Sequence, residues 1–175
     1  MSNLNRMAGA CGAGALAALA FAGLAFGQDA PAPVMDKGDV SWMLTSTVLV
    51  LLMTLPGLAL FYGGLVRTKN MLSVMTQVMA IFCIGCLVWV FWAYSLAFDP
   101  SGDELVPGFV GGLGRLFLAG VDMSSMAATF DAGYVIPEFV FISFQMTFAA
   151  ITCGLIVGAL AERIKFSGLI VFAVL

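Results

Sequence analysis

FVFISFQMTFAAITCGLIVGALAERIKFS, residues 139–167, is an uncharged apolar stretch that stops in a charged knot. Between Glu138 and Glu162 lie 23 residues without a charge. As a helix they reach about 35 Å, enough to cross a hydrocarbon core of about 30 Å. Phe144 and Phe148 are spaced i, i+4 and share a face, with Phe141 one turn earlier. Gln145 sits between them as a lone amide. An amide in hydrocarbon needs partners, so Gln145 has two readings: an interhelical hydrogen bond, or a place at a pore lining. The rings also have two readings, as core or lipid contacts, or as a cation–π site or hydrophobic constriction.

The rest of the chain has the same character. It is 62% apolar and 10% charged over 175 residues, where a soluble domain carries about 25% charge. This predicts an all-α membrane protein. Two further uncharged runs, 40–66 and 70–98, are each long enough to span. The expected spans are about 40–66, 71–98 and 136–161, with a fourth starting at 166. Ten residues from 166 to 175 cannot cross a bilayer, so the reading is of a chain truncated inside its fourth span.

Charge placement orients these spans. Arg67 and Lys69 lie between the first and second, and Arg163 and Lys165 between the third and fourth. Both loops are short and basic, which places them in the cytoplasm. The acidic residues Asp36, Asp39, Asp99, Asp103, Glu104, Asp122, Asp131 and Glu138 fall on the other side. Residues 1–27 read as a signal peptide, with Arg6 ahead of an Ala/Gly/Leu run and small residues at Ala25 and Gly27, or as an uncleaved anchor. Residues 28–39 then form an external leader. Both cues give an N-terminus outside an inner (plasma) membrane.

Inside the spans, Pro56 can kink the first helix. Gly63-Gly64 and the pair Gly154 and Gly158 let neighbours approach closely. Tyr62 reads as an interfacial residue, and Trp89 and Trp92 as packing or belt residues. Residues 105–121, apolar and glycine-rich, read as a short interfacial or re-entrant helix on the outer face. Cys83 and Cys86 have a C-x-x-C spacing inside an apolar run, where small packing residues are the better reading than a redox or metal site. No basic patch points to nucleic acid. With no histidine in the chain and every carboxylate outside the long uncharged runs, no nucleophile, base and orienter set is visible, so no enzyme and no cofactor are expected.

Three stretches resemble the ammonium transporter (Amt/Mep/Rh) family, on the Amt side: STVLVLLMTLPGLALFYGGLVRTKNMLS (46–73), WAYSLAF (92–98) and Phe141–Ser167, with FQMTFAAITCGLIVGALAERIKFS at its heart. The resemblance implies the N-terminal part of a bundle of eleven transmembrane helices in two inverted halves, 40–175 being a partial transporter domain. It implies a homotrimer with one pore per subunit, and ammonium or ammonia as substrate. It implies that Phe144 belongs to an aromatic recruitment site and Phe148 to a phenylalanine gate. Gln145 lies between them, and Tyr62 lies near the inner pore. A PII-type regulator at the cytoplasmic face is the implied partner. The family's pore histidines, vestibule tryptophan and serine and essential aspartate lie in later helices, so this stretch alone is expected to be inactive. Two alternatives are an ammonium sensor signalling to a cytoplasmic partner, and a short membrane packing or assembly protein.

The physics fits a lined path. A bare cation at the bilayer centre costs at least about 2.5–3.5 kcal/mol on insertion scales. An aromatic face holds a desolvated cation for about 2 kcal/mol. Ammonium also donates hydrogen bonds that potassium cannot, so polar acceptors discriminate between them.

Overall fold

Asp36 opens the first helix. Its backbone is extended and its carboxylate accepts a hydrogen bond from the Gly38 amide at 2.9 Å, which satisfies one of the free amides of a helix start. Residues 37–39, expected in the leader, therefore form the first helical turn. The computed structural model describes residues 33–99, 104–131 and 133–175. The expected signal peptide over 1–27, and the leader before 33, lie outside the described residues.

Helix α1 covers Lys37–Leu65, α2 covers Thr68–Phe98 and α3 covers Glu138–Leu160; all three are long and apolar enough to cross a membrane. A shorter helix, α4, covers Phe166–Val174. Val34–Leu175 forms one compact unit.

Pro56 does not break α1. A proline lacks the amide and clashes with the carbonyl four residues back. Here Met53–Leu58 widens into a π-helical turn that takes the proline in. A Cβ at Gly57 would sit 3.3 Å from the Leu52 carbonyl oxygen, a tight contact that the turn would have to ease. A second π-helical turn, Trp89–Ala93, lies near the far end of α2.

Inside a bilayer no expulsion of water drives helices together, so close fit must do it. Gly85 of α2 meets α3, where a Cβ would lie 3.0 Å from Ala150 Cα. Gly154 lies against Leu58 and Thr54 of α1, and Gly158 lies under the Tyr62 ring. Thr54, Leu58 and Tyr62 follow one another at i, i+4, i+8 and fill the groove that the two glycines open.

Two apolar clusters follow. Ala59, Val78, Ile81, Val157, Leu169 and Ala173 bring all four helices together. Trp89, Tyr94 and Ile142, with Phe141, Leu118 and Val121 against them, join α2 and α3 near the long connection. Trp89 is buried there, as a packing residue, and Trp92 is half-buried. Cys83, Cys86 and Cys153 are free thiols.

The connection between α2 and α3 carries structure that the sequence pattern does not announce. Strands β1 (Val34–Met35), β2 (Met126–Ala128) and β3 (Tyr134–Pro137) form a small sheet in the order β1-β3-β2. β1 runs parallel to β3 with Val34 opposite Tyr134, and β2 runs antiparallel with Met126 opposite Pro137. The helix expected over 105–121 does not form. Val106 and Val110 form a bridge, and Leu116–Leu118 makes a single 3₁₀ turn. Pro107 and five glycines in that stretch deny it a helix. Gly108 and Gly120 take φ of 76° and 75°, as Phe117 and Leu118 do at 56° and 59°.

Candidate functional site

At about 100° per residue, Thr147, Ala150, Ile151, Gly154 and Val157 share one face of α3, and all five are buried. Phe144, Gln145 and Phe148 lie off that face. Phe148 is 41% exposed, and Phe144 and Gln145 are half-buried. The two rings meet edge to face, with centroids 5.0 Å apart and planes at 63°. That arrangement leaves ring surface free, and an aromatic face within about 6 Å attracts a cation.

The hydroxyls near the rings are spent on the helix itself. Thr147 Oγ1 donates to the Phe144 carbonyl at 2.6 Å, and Thr152 Oγ1 to the Phe148 carbonyl at 2.8 Å. Gln145 makes no side-chain hydrogen bond among the described residues, so its interhelical partner is not found in this bundle. The structure thus brings Phe144 and Phe148 into contact beside the packed face, with Phe148 exposed and Phe144 and Gln145 half-buried.

Tyr62 is placed elsewhere. Its hydroxyl donates to the Leu155 carbonyl at 2.9 Å, and a Cβ at Gly158 would lie 2.5 Å from its Cζ. Leu155 is seven residues beyond Phe148, about 10 Å along the axis. Tyr62 therefore sits in the α1–α3 seam rather than beside the rings.

A group of residues not singled out in the sequence meets at the end of the bundle that carries the connection. Glu138, the first residue of α3, is 7% exposed. Its Oε1 accepts hydrogen bonds from the Tyr94 hydroxyl at 2.5 Å and from Arg115 Nη1 at 2.6 Å. Ser95 Oγ donates to the Gly112 carbonyl at 2.8 Å and accepts from the Arg115 amide at 3.0 Å. The Gly111 amide donates to the Leu96 carbonyl at 2.7 Å, and a Cβ on Gly111 would come within 2.9 Å of that same oxygen. One signal was available: Arg115 is the single cation between Asp99 and Glu138.

The opposite, basic end has a looser arrangement. Glu162 accepts from Asn70 Nδ2 at 2.6 Å and lies 3.6 Å from Arg67. It takes φ of 63°, the left-handed conformation that ends many helices. The Asn70 hydrogen bond above all, helped by the Arg67 amide and the charges of Arg67 and Lys69, holds its carboxyl below the usual carboxylate range despite the opposing desolvation. A cleft of about 520 Å³ opens beside it, lined by Leu65, Arg67, Gly158 and Arg163 among others.

Three apolar membrane-length helices packed through glycines define a multi-pass membrane protein. The family model described as Ammonium Transporter Family matches residues 41–175, and the chain belongs to that family. It is 39% identical over 155 residues to an ammonium transporter of Aquifex aeolicus, covering 89% of this chain and 34% of that one. It is 42% identical over 141 residues to an ammonium transporter of Bacillus subtilis, covering 81% and 32%. The fold superposes on Candida albicans Mep2 with a TM-score of 0.64 at 32% identity, over 80% of this chain and 29% of that one. The chain spans about a third of the length of the curated relatives it matches. These relatives are transporters rather than enzymes.

Proposed function

We propose that the protein carries ammonium or ammonia across the inner (plasma) membrane. The observation that carries this reading is the Phe144–Phe148 edge-to-face pair on α3, with the Phe148 ring exposed. Phe144, nearer the connection end, recruits the cation on its ring face. Phe148, one turn deeper, acts as a gate that a hydrated ion does not pass. Gln145 offers an acceptor oxygen beside them, and Tyr62 lines the path closer to the basic end. The short basic loops at Arg67 and Arg163 support a cytoplasmic basic end, with the N-terminus outside after signal-peptide removal. On this reading the protein works as a homotrimer, and a PII-type regulator docks on the basic end.

The test expresses the protein from its own gene in cells unable to take up ammonium and follows methylammonium uptake. Uptake is expected in the wild type. Phe148→Ala is expected to change rate or ion selectivity at unchanged membrane abundance. Wild-type uptake and selectivity in that variant overturn the gate, and absence of uptake in the wild type overturns the transport reading.

A further inference from the structure

We propose that Arg115 and Glu138 are positioning residues for the recruitment ring: their ion pair, completed by Tyr94, fixes the connection over the start of α3 and so sets where Phe144 stands. This rests on the reading of Phe144 and Phe148 as part of a pathway.

The pair joins three separate segments: the end of α2 through Tyr94, the connection through Arg115, and the first turn of α3 through Glu138. It is buried. A carboxylate taken from water costs several kcal/mol unless geometry and hydrogen bonds are good. A mere helix-end anchor would work as well in solvent, without that cost. The buried placement therefore selects one arrangement of the three segments.

Glu138, Phe141, Gln145 and Phe148 recur at i, i+3, i+7 and i+10 and form one stripe along α3. The clasp is thus the top of the stripe whose lower part holds the amide and the gate ring. Ring contacts tie the two together. Tyr94 lies 5.7 Å from Phe98, and Phe98 meets Phe141 edge to face at 5.1 Å. Phe141 is one turn above Phe144. A second lock, through Ser95, Gly111 and Gly112, keeps the connection from sliding along the end of α2. A shift of the first turn of α3 would rotate Phe141 and Phe144 together, because a helix moves as a rigid rod over two turns.

Glu138→Gln tests this, since the amide keeps the shape and one acceptor oxygen but removes the charge. Two measurements are made on the membrane-inserted protein. In the first, hydrogen exchange of the amides of Gly111, Gly114 and Arg115 is expected to quicken in Glu138→Gln; unchanged exchange overturns the clasp. In the second, the KM for methylammonium is expected to rise roughly three- to tenfold with the maximal rate kept within about twofold, the pattern of a misplaced binding group. Arg115→Lys, which keeps the charge, is expected to fall between wild type and Glu138→Gln. Faster exchange with an unchanged KM overturns the positioning role and leaves a purely structural clasp. A wild type without uptake overturns the transport reading instead, while the exchange measurement still decides whether the clasp orders the connection.

Discussion

At the connection end, Arg115 and Glu138 stand 2.6 Å apart with side chains 20% and 10% exposed; at the basic end, Arg67 and Glu162 stand 3.6 Å apart with side chains 72% and 26% exposed. Both pairs tie loops to the ends of the same helix, α3. Water decides the difference between them. In solvent each charge keeps most of its hydration, so the contact adds little and its loss removes little. Away from solvent each charge depends on the other, and removing one strands its partner. The connection end is therefore held by charge, and the basic end by fit, where Gly158 lies against Tyr62 and four helices close on Leu169.

The largest effect is expected from Glu138→Ala. It leaves the half-buried Arg115 without a counter-charge and Tyr94 without an acceptor, a loss toward the lower end of about 3–5 kcal/mol. Thermal unfolding in detergent measures it, and a change as small as that of a surface variant would erase the contrast between the ends. Gly158→Ala comes next. Its methyl would meet the Tyr62 ring at 2.5 Å, an overpacking of about 1–3 kcal/mol. Adding Tyr62→Ala should recover part of the loss, and no recovery would mean that the strain lies elsewhere than in this contact. Glu162→Ala should lower the unfolding temperature only slightly, far less than Glu138→Ala, although Asn70 and Arg67 both lose a partner.

The smallest effect is one of pH. The Glu162 carboxyl is held below the usual carboxylate range, first by the Asn70 hydrogen bond. A depressed value means that the folded state favours the charged form. The contribution is complete above the unfolded carboxylate value and fades as pH falls through the folded one. Unfolding followed over that acidic window should show a slight loss in the wild type that Glu162→Gln lacks. An equal slope in both would remove Glu162 as its source.

Much of the molecule was legible because its signals are local. Uncharged runs above 20 residues mark the helices by length alone. Glycines at i, i+4 mark a contact face, and Gly154 and Gly158 serve as one. The Phe144–Phe148 pair is legible for the same reason, since one helical turn fixes its spacing. Residues 105–121 went the other way. Their hydropathy resembles a short helix, yet Pro107 and the glycines favour turns, and contacts with the ends of α2 and α3 give those turns partners. Pro56 shows a related limit: the sequence marks a disturbance in α1, and only the neighbouring residues decide that it becomes a π-helical turn rather than a kink.

By itself, the sequence determined which segments leave water, how long they are, which loops carry positive charge and which rings share a helix face. Each of these depends on residues within a turn or two of one another. Only the tertiary structure decided that Arg115 meets Glu138, that Tyr94 completes the pair, and that Tyr62 closes on Gly158 and Leu155. Those partners lie 23, 44 and 93 residues apart for the three hydrogen bonds. No periodic pattern links positions that far apart. They meet because the packing of α1, α2 and α3, and the fold of the connection, bring distant segments together.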